Sequence, residues 1–281
     1  MTSRIKFPNG LSLDLSGPPL VMAIINCTTD SFYAPSRAQA EQAVERALEA
    51  AAAGASIIDF GAESTRPGSE YVDAEEELRR LIPVVKSFCR QSSVPVSVDT
   101  RKASVARAAL DAGAIIINDI SALQDDSEMA PLCAKAGVPV VLMHKKGIPA
   151  TMQNQPYYND VVTEVNQFLL DAAKHAEAAG IEHDKIILDP GIGFGKRLED
   201  NLDLLAHLAD IGNGDYPILI GLSRKSFLGA ITGRTPEERL AGTLAAHAAV
   251  YYRGAKIFRV HDVKETVDLI TVLEAIEKRK G

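Results

Sequence analysis

Eight short runs of apolar, often β-branched residues recur along the chain, and nearly every run ends at or beside a polar or charged residue. The runs cover residues 21–26, 56–59, 96–99, 115–119, 138–144, 185–189, 218–223 and 256–261. Stretches rich in Ala, Leu, Glu and Arg separate them, which indicates strands alternating with helices. This alternation predicts parallel strands, and eight units in a chain of 281 residues predict an α/β fold of the (β/α)8 TIM barrel type. Because the carboxyl ends of barrel strands converge on one mouth, the polar residues that end the runs should meet there.

A short segment before the first run is predicted to form an N-terminal β-hairpin. Ile5 and Phe7 face Leu11 and Leu13 across the turn at residues 8–10, and the hairpin is expected to cover the amino-terminal end of the barrel. Helices are expected between the runs, several of them with a glycine just beyond the last helical residue. Seven are predicted at 38–53, 74–90, 102–112, 127–136, 198–209, 236–252 and 263–278. One more is predicted to begin after the loop 144–158 and to end at residue 180.

Composition narrows the class of protein. A length of 281 residues fits one barrel, so a single domain over 1–281 is predicted. The formal charge of −7, with no dense run of Lys and Arg, argues against nucleic acid and anionic membranes as partners. Cys27, Cys89 and Cys133 are odd in number and lie in apolar contexts, which favours reduced thiols and a cytoplasmic location. No opening run resembles a signal peptide, and no apolar stretch approaches the length of a membrane span.

Three polar loops follow predicted strands, at 26–32, 61–68 and 223–227. Each alone could be a solvated surface turn, but all three are expected on one face of the barrel, which favours a functional site. Acids end further strands: Asp99 and Asp189 close two apolar runs, and Asn118 with Asp119 closes the run at 115–119. Carboxylates there suit a ligand that offers several N–H donors, such as a pyrimidinone or pterin ring. For Asp99 and Asp119, capping of the following helix is the alternative.

The glycine-rich segment 191–196 has the spacing of neither common nucleotide-binding motif. A flexible loop beside a planar ligand is the better interpretation. Arg259 and His261 stand two residues apart at the end of the last run, hence on one strand face, beside the first strand. Phosphate commonly binds near the last strands of such barrels, so these residues and Asn26 could hold a diphosphate and Mg²⁺. A surface ion pair of Arg259 with Asp262 is the alternative.

Taken together, the motifs closely resemble those of the dihydropteroate synthase family. The resemblance spans the chain from residue 21 to the last helix, and its motifs are N-x-T-x-D-S-F at 26–32, E-S-T-R-P-G at 63–68, S-V-D-T at 97–100, N-D-I at 118–120, L-M-H at 142–144, L-D-P-G-I-G-F-G at 188–195, S-R-K-S at 223–226 and R-V-H-D at 259–262. It implies a transferase of folate biosynthesis and a sulfonamide target. The reaction condenses 6-hydroxymethyl-7,8-dihydropterin diphosphate with 4-aminobenzoate to 7,8-dihydropteroate and diphosphate.

The resemblance also implies a role for particular residues. The pterin ring would be bound by Asp99, Asn118, Met143, Asp189, Phe194 and Lys225. The diphosphate would be bound by Asn26, Thr65, Arg259 and His261, with Asn26 also meeting Mg²⁺. The 4-aminobenzoate site would consist of Phe32, Thr65, Arg66, Pro67 and Ser226. Catalysis would depend on Lys225, Arg259, His261 and Asp30, and the family implies a homodimer through the last helices.

The first loop departs from the family pattern, in which N-x-T-P-D-S-F-x-D-G-G is usual. Here Thr29 replaces the proline, Ala34 the second acid, and Pro35 and Ser36 the two glycines. Alternatives therefore stay open: a pterin-binding protein without the second activity, a pterin-dependent methyltransferase barrel, and an aldolase-type barrel that uses Lys225 as a Schiff-base nucleophile.

Overall fold

In the computed structural model the chain forms a closed barrel of eight parallel strands with helices between them. The structure describes residues 4–27, 37–63, 71–147, 152 and 155–279. Each predicted run forms one barrel strand, and β10 closes the barrel by pairing with both β3 and β9. The barrel strands are β3 (Leu20–Asn26), β4 (Ile57–Gly61), β5 (Val96–Asp99), β6 (Ile116–Asp119), β7 (Val140–Met143), β8 (Ile186–Asp189), β9 (Ile218–Ile220) and β10 (Ala255–Val260). The predicted barrel is therefore confirmed.

The predicted hairpin is confirmed as well, in β1 (Arg4–Lys6) and β2 (Ser12–Asp14). Ile5 pairs with Leu13, and the Phe7 amide donates to the Leu11 carbonyl at 2.9 Å. Apolar residues of the hairpin and of the barrel interior pack into one buried cluster, which consists of Ile5, Phe7, Leu13, Leu15, Met22, Ile57, Ile116, Val141, Ile187, Leu219 and Ile257. Each such side chain contributes roughly 1.5–3 kcal/mol when fully buried. The hairpin thus closes the amino-terminal end of the barrel with apolar contacts.

The interior cluster determines which residues face the barrel mouth. Successive residues of a strand point to opposite faces, so the residue two positions after a cluster member points into the barrel one layer nearer the mouth. Those positions are Ile24, Asp59, Asn118, Met143, Asp189, Gly221 and Arg259, and Asp99 stands in the same relation to buried Ser97. Most of these side chains are polar or charged, so a largely polar layer follows the apolar filling at the carboxyl end of the barrel.

The helices follow the predicted order, with two differences. They are α1 (Arg37–Ala52), α2 (Ala74–Cys89), α3 (Ala103–Asp111), α4 (Met129–Ala136), α5 (Val161–Ala178), α6 (Leu198–Ala206), α7 (Ser226–Thr232), α8 (Leu240–Tyr251) and α9 (Val263–Glu277). No helix within these described ranges is long and apolar enough to cross a membrane.

The sequence analysis was wrong about the region after β9. It predicted one helix at 236–252, whereas α7 begins at Ser226 and a 3-10 turn (Pro236–Glu238) precedes α8. Gly233, with a φ of 71°, ends α7 in the left-handed conformation that glycine adopts without strain. The helix predicted at 198–209 also ends early, at Ala206, and the positive φ of Gly212 belongs to the irregular segment that follows.

The three cysteines are free thiols. Burial raises the pKa of Cys27 and of Cys133 to about 12, which keeps both thiols protonated near neutral pH.

Candidate active site

Arg259 lies between two carboxylates at the centre of the barrel mouth. Its Nε donates to Asp59 Oδ2 at 2.7 Å, and its Nη2 donates to Asp99 Oδ2 at 2.8 Å. Asn118 Nδ2 donates to the same Asp59 oxygen at 3.1 Å. Asp99 and Asn118 are thereby brought together as predicted, and the alternative pairing of Arg259 with Asp262 is not formed. Asp262 instead accepts from Arg224 Nε at 3.0 Å.

Asp59 is a member of this cluster that the sequence analysis did not assign. Its side chain is fully buried, and its Oδ1 has no hydrogen-bond partner among the described residues. Its position along the strand could have identified it from the sequence. Asp59 follows Ile57 by two residues on β4, so it shares the inward face with Ile57 and lies beside Ser97 in the register of β5.

Burial and nearby cations have opposite effects on the pKa values of Asp99 and Asp189. Burial raises the pKa of Asp99 to about 7, although the Arg259 guanidinium opposes this rise. Burial also raises the pKa of Asp189, against the opposing charge of Lys225. Lys225 in turn has a pKa lowered by burial to about 8, while Asp189 favours its charged form. The site therefore contains one acid, Asp99, and one base, Lys225, whose pKa values lie close to neutral pH, and such perturbed groups cluster at functional sites.

Lys225, Phe194 and Met143 lie beside the carboxylates. Lys225 Nζ donates to the Ile192 carbonyl and lies 4.5 Å from the centroid of the Phe194 ring. Met143 is buried at the end of β7, where it pairs in register with Asp189. A planar ring that offers N–H donors could contact the two apolar side chains with its faces and the carboxylates with its edge.

The helix cap that was the alternative for Asp99 and Asp119 is not formed by either acid, since Lys102 precedes α3 and Glu128 precedes α4. Asp119 accepts from the amide and the hydroxyl of Ser121 at 2.7 and 2.6 Å and from the amide of Leu123 at 3.1 Å. It therefore stabilises the turn after β6, and its oxygens are used there. The residue that precedes α3 is Lys102, whereas Asp99 contacts Arg259.

Of the described residues predicted to hold diphosphate and the second substrate, Arg259 lies at the centre of the mouth, and the other three lie at the rim. Asn26, Ser226 and His261 are all exposed, at the end of β3, at the start of α7 and just beyond β10. The His261 amide donates to Ser223 Oγ at 3.3 Å, and this oxygen lies 3.1 Å from His261 Nδ1. Five predicted residues lie outside the described ranges: Asp30, Phe32, Thr65, Arg66 and Pro67. Thr29, Ala34, Pro35 and Ser36 lie outside them too.

The glycine-rich segment after β8 is more tightly held than the flexible loop that the sequence analysis expected. The Gly191 amide donates to Asp189 Oδ1 at 2.7 Å, and the Gly193 amide donates to Asn201 Oδ1 at 2.7 Å. Tyr158 donates from its hydroxyl to the Gly195 carbonyl at 2.8 Å. Bonds within the loop, to Asn201 on α6 and to Tyr158 before α5 thus fix the backbone that carries Phe194.

Comparisons with known proteins agree with this geometry. Residues 22–261 match the family described as pterin binding enzyme. Dihydropteroate synthase of Escherichia coli strain K12 is 47% identical over 270 residues, which is 96% of this chain and 95% of that protein. The Yersinia pestis dihydropteroate synthase structure with a sulfonamide drug complex aligns with a TM-score of 0.92 at 43% identity, over 98% of this chain and 99% of the other. The Xanthomonas albilineans enzyme with 4-aminobenzoic acid gives a TM-score of 0.90 at 45% identity, over 99% of both chains.

Sequence similarity over nearly the whole chain and a common barrel lead to the same assignment, and the carboxylate cluster at the mouth has the chemistry that a pterin ring requires. This chain therefore belongs to the pterin-binding enzymes and, among them, to the dihydropteroate synthases.

Proposed function

We propose that this chain, as a single domain over 1–281, joins 6-hydroxymethyl-7,8-dihydropterin diphosphate to 4-aminobenzoate, with diphosphate as the leaving group. The observation that carries the proposal is the inward cluster of Asp59, Asp99 and Asn118 around Arg259, with Asp189 and Lys225 beside it. This cluster offers several hydrogen-bond acceptors for ring N–H groups, and it also contains two cations, Arg259 and Lys225.

The pterin ring occupies the slot between Met143 and Phe194 in this proposal. Asp99, Asn118 and Asp189 hydrogen-bond its edge, because carboxylates accept paired N–H bonds and an amide can both donate and accept. Lys225 lies beside them as a further donor. Asp59 supports the ring site indirectly, since it fixes both Arg259 and Asn118.

The leaving diphosphate lies toward the rim, near Asn26, Thr65, Arg259 and His261. Negative charge grows on it as the C–O bond breaks, so fixed positive charge there lowers the barrier. Asn26 offers an amide oxygen at the exposed end of β3. One such oxygen fits Mg²⁺, which usually takes few protein ligands and completes its shell with water and phosphate oxygens. When bound, Mg²⁺ would neutralise part of the diphosphate charge.

The second substrate is proposed to lie over the first, against Phe32, Thr65, Arg66, Pro67 and Ser226. The exposed position of Ser226 at the rim supports this placement. The Xanthomonas albilineans enzyme is known with 4-aminobenzoic acid, which supports 4-aminobenzoate as the second substrate. Its aromatic amine is uncharged at neutral pH and attacks the pterin carbon directly, so no covalent nucleophile is required. Asp30 and Lys225 are proposed to assist as polar groups close to the reacting atoms.

We further propose that the enzyme is a cytoplasmic homodimer that contacts its partner through the last helices. Val272 and Ile276 on α9 are 58% and 52% exposed, and Tyr252, next to α8, is 55% exposed. Large apolar side chains grouped on a surface are typical of an interface. The net charge of −7 and the free thiols support a reducing compartment without nucleic-acid or membrane partners.

A direct assay tests the function. Purified protein with the pterin diphosphate, 4-aminobenzoate and Mg²⁺ should form dihydropteroate, and Asp189→Asn should reduce product because an amide N–H would face ring donors. Tight pterin binding without product at any aminobenzoate concentration would instead indicate a pterin-binding protein. A covalent adduct trapped by borohydride with a carbonyl substrate would indicate Schiff-base chemistry at Lys225.

A further inference from the structure

Lys196 is a buried cation to which the proposed reaction gives no role. It lies two residues before α6, at the end of the glycine-rich loop, and is 3% exposed. Its Nζ donates to the Gly191 carbonyl at 2.9 Å, to the Phe194 carbonyl at 3.2 Å and to His144 Nδ1 at 2.8 Å. The His144 carbonyl lies further away, at 3.5 Å. Lys196 thus joins both halves of the loop to the end of β7.

These three short bonds match the three hydrogens of an ammonium group. No carboxylate among the described residues forms an ion pair with Lys196, so carbonyl and imidazole acceptors alone compensate its buried charge. Burial lowers the pKa of Lys196 to about 7, and Lys225 and Lys146 lower it further, while Asp189 and Asp200 raise it. A buried lysine without a paired acid is costly unless hydrogen bonds compensate it, and here they come from the loop and from His144.

The loop that Lys196 holds is packed against the backbone of the neighbouring segment. A Cβ atom at Gly191 would lie 1.9 Å from the His144 carbonyl oxygen, and one at Gly195 would lie 2.2 Å from the Lys146 carbonyl oxygen. Both glycines have a φ of 65°, in the left-handed region. The close approach is what brings the carbonyls of the loop and His144 within reach of one ammonium group.

The far side of the same loop faces the pterin site. The Ile192 carbonyl accepts from Lys225, and the Phe194 ring lies under the Lys225 ammonium at 4.5 Å. Gly193 lies between them, where an added Cβ would approach Lys225 Cδ to 3.4 Å. The position of Lys225 therefore depends on the loop backbone, and the loop backbone depends on Lys196.

We propose that Lys196 is a positioning residue of the pterin site. Lys196 holds residues 191–195 in the conformation that presents Phe194 and the Ile192 carbonyl to Lys225. This inference rests on the proposed pterin site. Without the ammonium, two backbone carbonyls and His144 Nδ1 lose their donor, and the loop moves to reach other donors. Phe194 and Lys225 then leave the positions in which they contact the ring.

Lys196→Met tests the proposal, because methionine fills similar space without donors. Lys174→Met is the matched control, since the Lys174 side chain is 70% exposed and pairs with Asp171 on α5, away from the loop. We expect the dissociation constant for 6-hydroxymethylpterin, measured by calorimetry, to rise at least tenfold in Lys196→Met and less than twofold in Lys174→Met. KM for the pterin diphosphate should rise in parallel, whereas KM for 4-aminobenzoate should stay within about twofold.

Hydrogen exchange separates positioning from general loss of structure. Amide exchange in Lys196→Met should accelerate in residues 191–197 and remain unchanged in β8. Acceleration across the barrel, or unchanged pterin affinity, would overturn the proposal. His144→Leu removes one acceptor and keeps both loop carbonyls bonded, so it should weaken pterin binding in the same direction by a smaller factor. A wild-type protein that binds no pterin would overturn the proposed function and this inference together, whereas pterin binding in both proteins with equal affinity would overturn the inference alone.

Discussion

Arg259 and Asp59 are 200 residues apart in the sequence, yet Arg259 Nε donates to Asp59 Oδ2 at 2.7 Å. The contact exists because the barrel closes: β10 pairs with β3, and β3 pairs with β4, so only one strand separates the two residues. Asp59 accepts from Asn118 through the same oxygen. One buried carboxylate therefore links the last barrel strand to β6 through the centre of the mouth.

Replacing Asp59 should destabilise the fold. Asp59→Asn removes the charge that compensates Arg259 on this side and leaves Asp99 as its partner, which should reduce the free energy of unfolding by about 3 kcal/mol. Asp171→Asn is the matched control, because Asp171 pairs with Lys174 on the exposed face of α5, and we expect little measurable change there. Denaturant titration measures both. Equal stabilities of the two variants would show that the Asp59–Arg259 contact adds nothing net.

Asp99 should make stability depend on pH. Its pKa is raised from 3.8 to about 7 by burial, so the folded state keeps a proton that the unfolded chain has already released. The stabilising contribution is present below about pH 4 and is lost as the pH rises through about 7. Asp99→Asn should therefore show a smaller fall in unfolding free energy than the wild type between pH 4.5 and pH 7.5. An unchanged pH slope would contradict the raised pKa.

Arg259 should matter more for the diphosphate than for the ring. Arg259→Ala removes the cation nearest the proposed leaving group and also leaves Asp59 and Asp99 without their common partner. Binding of hydroxymethylpterin should weaken, and binding of its diphosphate should weaken by roughly tenfold more, since only the latter uses the positive charge. Calorimetry with both ligands gives the ratio. Equal losses would assign Arg259 a structural role alone.

The altered first loop should change the second substrate's affinity. Ala34 stands where the family usually has an acid, and Pro35 and Ser36 stand where it usually has two glycines. Loss of one polar contact of about 1 to 3 kcal/mol weakens binding by roughly tenfold to a hundredfold without removing the chemistry. We expect product formation with a raised KM for 4-aminobenzoate and altered sulfonamide inhibition. Restoring the acid by Ala34→Asp should lower that KM, and no change would locate the determinant elsewhere.

Three residues of the site were predictable because the position of each at the end of a strand is a property of the local sequence. Asp99, Asn118 and Asp189 each end an apolar run, and parallel barrel topology brings strand ends together whatever their distance along the chain. Asp59 was equally accessible to this reasoning, since strict alternation from Ile57 places it on the inward face. The tether at Lys196 was not, because no sequence pattern shows that an ammonium group will find two carbonyls of its own loop and an imidazole 52 residues away.

The sequence by itself determined the barrel, its hairpin closure and the set of polar residues at the mouth. Periodicity and strand-end chemistry are properties of neighbouring residues, so they can be read without knowing the fold. The tertiary structure decided which of these residues bind one another. Asp119 bonds to its own turn, Asp262 pairs with Arg224, and Arg259 pairs with Asp59 and Asp99. Such choices depend on the distances set by barrel closure and on the competition among buried groups for few partners, which no local pattern records.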